Sequence, residues 1–390
     1  MQQGIYLDNA ATTKMREEVL QEMLPFFCGN YANPAAIYSP AGAVKKAVGT
    51  ARERTAAMIG AKPGEIYFTA GGSESDNWAI RAVAKGAADK GRHIITSKIE
   101  HHAVLHTCEY LERQGCEVTY LDVDSDGLIS PEAVEKAIRP DTILISLMAA
   151  NNEIGTLEPV ARIGEIARKR GVLFHTDAVQ AYGHVPLNVE TMHIDLLSAS
   201  GHKLNGPKGV GLLYCRENLR LHPLIFGGAQ ERGRRAGTLN VPGIVGFGKA
   251  AQLAKETMRE RSEKETALRD YLIDRVLAEI PHTTLNGHRR ERLSNNASFC
   301  FRFIEGESLL ILLDQQGIWG SGGSACTSGA TEPSHVLSAI GMSREDARGS
   351  LRLTLSEETT KEELSYVAEK LKEIVGRLRG MALPPSPPAR

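Results

Sequence analysis

A lysine just beyond a very apolar strand and among small residues is placed to react as an amine. Lys203 is such a residue, closing Ser198-Ala199-Ser200-Gly201-His202-Lys203 after the run beginning Asp195-Leu196-Leu197. Desolvation there lowers the pKa of the amine and frees it for Schiff-base chemistry, whereas the plainer reading is a solvated loop lysine. The continuation Leu204-Asn205-Gly206-Pro207-Lys208-Gly209 has the glycines of a phosphate loop. Pro207 separates Gly206 from Lys208, however, and no Ser or Thr follows, so a nucleoside triphosphate site is excluded. Asp177 ends the apolar run Val172–Asp177, with Gln180 three residues on. A carboxylate at that place is costly to bury unless an Arg or a bound cofactor meets it.

Three more polar clusters follow apolar runs. Gly71-Gly72-Ser73-Glu74-Ser75-Asp76 comes after Glu65–Ala70; its glycines allow close backbone approach, and Ser73 with Asp76 fits a capping box opening a helix. Free amides at such a helix start suit a phosphate, although an ordinary cap is the plainer reading. His101 and His102 follow His93–Glu100. A metal is the less favoured reading of this pair; an imidazole at a strand end can also lie flat on an aromatic cofactor or move a proton near neutral pH. Asn151, Asn152 and Glu153 follow Thr142–Ala150.

The sixth cysteine has a different setting from the other five. Cys28, Cys108, Cys116, Cys215 and Cys300 are scattered without C-x-x-C pairs, which argues against a disulfide scaffold or zinc ribbon. Cys326 sits in the Gly- and Ser-rich run Gly320–Ala330, too poor in helix and strand formers for either interior, and reads as a mobile loop carrying a thiol.

These clusters need strands to end at them, and the chain supplies the pattern. From about residue 15 to 260, seven short apolar runs alternate with amphipathic helical stretches, the mark of an α/β layer with a mainly parallel sheet. Ligands bind beyond the carboxyl ends of such strands. A long helix from about Gly248 to Ile280 leads to a strand at Asn296–Phe303, a helix at Glu307–Gly317, a strand at Leu351–Leu355 and a last helix from Thr360 to Arg379. The expected division is a large domain at 15–260 and a smaller α+β domain of 1–14 and 261–380 that carries the loop 320–330, with a disordered tail at 381–390. With 42% hydrophobic residues the 390-residue chain can bury a large core. Its 46 Lys and Arg balance 47 Asp and Glu, leaving no charge excess to attract nucleic acid or an anionic membrane. No apolar span or leader stands out, so a cytoplasmic protein is expected.

Taken together, these residues resemble the cysteine desulfurases of the NifS/IscS type within the fold type I pyridoxal-phosphate (PLP) enzymes. The strings stand in order: YLDNAATT at Tyr6–Thr13, GGSESDN at Gly71–Asn77, EHHAVL at Glu100–Leu105 and NNEIG at Asn151–Gly155. HTDAVQ follows at His175–Gln180, SGHK at Ser200–Lys203, RAGT at Arg235–Thr238 and GSACTSG at Gly323–Gly329. The resemblance implies that Lys203 is the Schiff-base lysine and that Asp177 partners the pyridine nitrogen. It puts His101 over the ring, and Asn152 and Gln180 near the phenolic oxygen. Gly72, Ser73, Ser200 and His202 would hold the phosphate, with Thr238 reaching it from a second subunit of a homodimer. Asn152 and Arg352 would bind the substrate, Arg352 gripping its carboxylate, a task for a planar fork that lysine performs poorly. Ala229 departs from the usual glycine of the GGAQERG loop.

The implied activity is removal of sulfur from L-cysteine, giving L-alanine and a persulfide on Cys326 that passes to an acceptor such as an iron–sulfur scaffold protein. Lys203 and His101 would carry protons. A selenocysteine lyase is the nearest alternative; a nucleophilic thiol in a Gly/Ser loop is superfluous for an aminotransferase. A non-catalytic, partner-binding or sulfur-carrier relic would be expected to have lost Lys203, Asp177 or Cys326, and all three are present.

Overall fold

The structure is a computed structural model that describes residues 4–322 and 334–381. The first half runs β1 (Ile5–Tyr6), α1 (Glu17–Met23), α2 (Pro25–Cys28), α3 (Ser39–Met58), β2 (Ile66–Thr69), α4 (Gly72–Gly86), β3 (His93–Ser97), α5 (His102–Glu112), β4 (Glu117–Leu121) and α6 (Pro131–Ala137). Then come β5 (Thr142–Ser146), α7 (Val160–Arg170), β6 (Leu173–Asp177), β7 (Leu196–Ser200), β8 (Gly211–Cys215), α8 (Gln230–Gly233) and α9 (Val241–Glu279). The chain continues through β9 (Thr283–Leu285), β10 (Asn296–Phe301), α10 (Gly306–Asp314), β11 (Ile318–Trp319), α11 (His335–Ala339), α12 (Arg344–Ala347), β12 (Ser350–Thr354) and α13 (Lys361–Met381).

Each of the seven apolar runs forms one strand of a single sheet, ordered β2-β8-β7-β6-β5-β3-β4. Helices cover both faces, so β2, β3, β5, β7 and β8 are buried along their whole length. The pairs β4–β3, β3–β5, β5–β6 and β6–β7 are parallel, while β8 runs antiparallel between β7 and β2. The expected α/β class with a mainly parallel sheet therefore holds. After β3 the chain passes outward to β4 and then returns to place β5 on the other side of β3. The two connections diverge there, and the carboxyl ends of β3 and β5 flank a crevice.

The α9 helix begins at Val241, seven residues before the expected start. Asn240 caps it by accepting from Gly243 N–H, and Pro242 occupies its first turn. Close packing requires a glycine here: a Cβ at Gly248 would lie 2.5 Å from Ala51 Cα of α3. The amino-terminal half of α9 packs into the core around the large sheet through Ile244, Phe247 and Ala251. Its far end packs Leu272, Ile273 and Val276 against the antiparallel sheet β12-β10-β9 and α13. The short strands β1, β9 and β11 carry too few residues to show a period-two pattern in sequence.

Candidate active site

A cavity of about 290 Å³ opens at the carboxyl ends of β3, β5, β6 and β7, beside the start of α4 and the end of the β12 strand pairing. Most of the site residues named from sequence line it: Gly72, Ser73, His101, Asn152, Asp177, Gln180, Ser200, His202, Lys203 and Arg352. Thr238 does not; it is exposed, three residues before α9. Cys326 lies outside the described residues. Of the described residues on either side, Gly322 O accepts from Ser350 Oγ at 3.1 Å, and Ser334 Oγ donates to the Glu153 carboxylate in the cavity wall.

Lys203 arrives by a 3₁₀ turn, Gly201–Lys203, that follows β7 directly. Its Nζ donates to Ala10 O and, at 2.7 Å, to Ala11 O. The segment after β1 thus arches over the lysine, and its carbonyls orient the amine. His184, neutral because burial pulls its pKa down to about 4, donates from Nε2 to Lys203 O at 2.9 Å.

Asp177 is buried at the end of β6, and Val179 N–H donates to its Oδ1 at 2.9 Å. Burial raises its pKa, with His101 and Lys203 pulling the other way. No guanidinium bonds it among the described residues, which leaves the carboxylate able to meet a bound group. His101 caps α5: its Nδ1 accepts from Ala103 N–H at 3.1 Å. That contact puts the ring proton of neutral His101 on Nε2. Burial lowers the imidazole pKa, so the neutral form is favoured.

The first turn of α4 faces the cavity through Gly72 and Ser73, and its amides have no partner within the helix. Ser200 and His202 close the same side; burial, then Lys203 and Lys208, bring the His202 pKa down to about 4. The capping box is not formed as the sequence suggested. Gly71 is the N-cap and no side chain caps the helix, so Ser73 already lies inside it; Glu74 accepts from Ala70 N–H at 2.8 Å and is itself forked by Arg235. Asp76 instead turns inward, fully buried, with no hydrogen-bond partner for either oxygen among the described residues. Burial, then Asp177, raises its pKa well above the ordinary carboxylate value, which favours the neutral acid. Its neighbour His175, 3.7 Å away, is neutral too, burial lowering its pKa to about 3.

On the opposite wall Arg352 is 2% exposed. Its Nη1 donates to Asn152 O at 2.9 Å and its Nη2 to Asp8 Oδ1 at 2.8 Å, while buried Nε has no partner among the described residues. Gln180 Nε2 donates to Ala10 O at 3.0 Å, which leaves its second N–H for another acceptor. Asp8, Ala10 and Ala11 belong to a string quoted above with no role assigned, and His335, also in the wall, had no signal at all. Three of the described cysteines differ from a reactive thiol: burial pushes Cys108, Cys215 and Cys300 up to about 12.

The family model described as aminotransferase class-V matches residues 5–367. The chain belongs to the class-V aminotransferase family. Within it this member is 55% identical over 379 residues to a protein of Methanosarcina thermophila named cysteine desulfurase IscS, covering 97% of this chain and 94% of that one. It is 52% identical to one of the same name from Clostridium botulinum, covering 98% and 97%. Among solved structures, a NifS-like protein superimposes with a TM-score of 0.90 at 39% identity, covering 96% of this chain and 100% of that one. A structure titled SspA in complex with cysteine matches with a TM-score of 0.81 at 40% identity, covering 91% and 100%. This class-V member has the architecture of the type I PLP enzymes, and its named relatives are cysteine desulfurases.

Proposed function

We propose that the protein is a PLP-dependent cysteine desulfurase that converts L-cysteine to L-alanine and holds the sulfur as a persulfide on Cys326. One observation carries this reading: Lys203, Asp177, His101 and Arg352, four of the residues the resemblance assigns to this chemistry, line one cavity. PLP fits the residues present, because a buried carboxylate without a guanidinium partner, an amine and a helix start converge there. The α4 amides, Gly72, Ser73, Ser200 and His202 would take its phosphate, Asp177 its pyridine N–H, and Asn152 and Gln180 its phenolic oxygen. When bound, PLP supplies an aldehyde that bonds an amine and a protonated ring that accepts the electrons released as the α-proton leaves.

The chain's own groups do the rest. Lys203 Nζ, steered by two carbonyls, removes and returns the α-proton. The Asp177 carboxylate would hold the pyridine nitrogen of bound PLP in its protonated form. Arg352 Nε, buried and unpartnered among the described residues, offers a charge-assisted bond to the substrate carboxylate. The Cys326 thiolate would take the sulfur, as the resemblance implies; buried Cys108, Cys215 and Cys300, pushed up to about 12, are poor rivals.

The same reading includes a cytoplasmic homodimer, with Thr238 serving the partner's phosphate site, and a sulfur-acceptor protein such as an iron–sulfur scaffold. The exposure of Thr238 and of Phe27, Tyr31, Ile37 and Tyr38 supports the dimer. It also includes the two-domain division near residue 260, supported by the separate apolar cluster of Leu7, Leu272, Phe299 and Leu371. The test is Cys326→Ala. The variant should load PLP with its visible absorbance intact, while alanine and sulfide formed from cysteine fall by orders of magnitude and protein persulfide is absent. Near-wild-type desulfuration by this variant would refute the persulfide step.

A further inference from the structure

Four imidazoles line up from the cavity to the surface. His101, His102 and His335 are in the cavity wall and His106 is exposed. Ring centroids are 6.3 Å apart for His101 and His102, 4.7 Å for His102 and His335, and 5.0 Å for His102 and His106. The last two share α5 at a spacing of four residues, which puts them on one face. His335 opens α11, two residues beyond the segment that carries Cys326.

Their hydrogen bonds assign them different chemistry. His101 receives Ala103 N–H at Nδ1, so a proton accepted there must displace the cap of α5. In His335 the arrangement is reversed. Its Nε2 lies 2.9 Å from the Glu100 carbonyl, which can only accept, so Nε2 carries the proton and Nδ1 the lone pair. No hydrogen bond occupies that Nδ1 among the described residues. The cluster is faced by Glu109 on α5, Glu100 ahead of it, Glu153 after β5, Asp177 on β6 and Lys203 after β7. Burial, then like-charge repulsion from His335, His106 and His101, lowers the His102 pKa.

We propose that His335, backed by His102, accepts and returns the proton of the thiol that reacts in this cavity, with His106 connecting the pair to solvent. This rests on the desulfurase reading. In the step the S–H bond breaks, the proton forms an Nδ1–H bond on His335, and the electron pair stays on sulfur as thiolate. As the thiolate forms its S–S bond and the substrate C–S bond breaks, the Nδ1 proton passes through His102 and His106 to water, which protonates the product in turn, so no oxidant or reductant is consumed.

The experiment compares alanine formation from cysteine, against pH, in the PLP-loaded wild type, His335→Gln and His335→Ala. Gln keeps an N–H donor for the Glu100 carbonyl but cannot take a proton. Visible absorbance equal to that of the wild type shows that each variant folds and loads. Both should lose roughly 10²-fold in rate near pH 7, the usual worth of one acid–base group. The deficit should shrink above about pH 8.5, where a thiol ionises unaided, and added imidazole should partly rescue His335→Ala. Variants within about twofold of an active wild type overturn the proposal alone. A loss that neither alkali nor imidazole relieves assigns a structural role and overturns it as well. A loaded wild type that makes no alanine overturns the desulfurase reading and this proposal with it.

Discussion

The floor of the cavity and its far wall are assembled by different means. The floor comes from one sheet: Asp177 ends β6, Lys203 follows β7 by three residues, and His101 and Asn152 lie shortly after β3 and β5. Each is delivered by the strand immediately before it, so its position follows from local chain geometry. The wall joins segments 344 residues apart, where Asp8 pairs with Arg352. It depends on β1 pairing with β11, on the bridge of Asp8 to Thr354, and on Asn9 Nδ2 donating to Thr354 O at 2.8 Å. The contrast suggests a division of labour in which the floor holds the chemistry and the wall reads the substrate.

The largest effect should come from the floor. Lys203→Ala is expected to remove detectable alanine formation and the visible absorbance of the loaded protein, while PLP still binds through its phosphate, measured by dialysis. Full activity would end the PLP assignment. Asp177→Asn should lower turnover by roughly 10²-fold, as loss of a preorganised electrostatic group does, and shift the absorbance band; a change within twofold would make Asp177 structural. The wall should respond differently. Arg352→Lys keeps the charge but loses the fork, and should raise KM for cysteine about tenfold with kcat changed by only a few fold. If kcat falls instead while KM stays, Arg352 belongs with the floor and the contrast fails.

The same contrast governs what could be read before folding. Asp177 and Lys203 stood out because a charge at the end of an apolar run demands an explanation, and burial supplies the same demand in three dimensions. Arg352 had no such local signal. It sits inside β12, and only likeness to other chains singled it out. Ser73 and Asp76 misled, because the helix begins at Gly72, two residues before the start that an N-cap at Ser73 would give. His335 was silent: its role depends on a carbonyl 235 residues away.

By itself the sequence determined the seven strands, the α/β class and the reactive residues at strand ends, since hydrophobic period and polar punctuation act over a few residues. Tertiary structure alone decided the strand order that opens the crevice between β3 and β5, and the Asp8 clamp on Arg352. It also decided which ring nitrogen each cavity histidine leaves for a proton. Those features depend on which distant backbone groups meet, and the free energy of such meetings belongs to the packed core as a whole, not to any local stretch of chain.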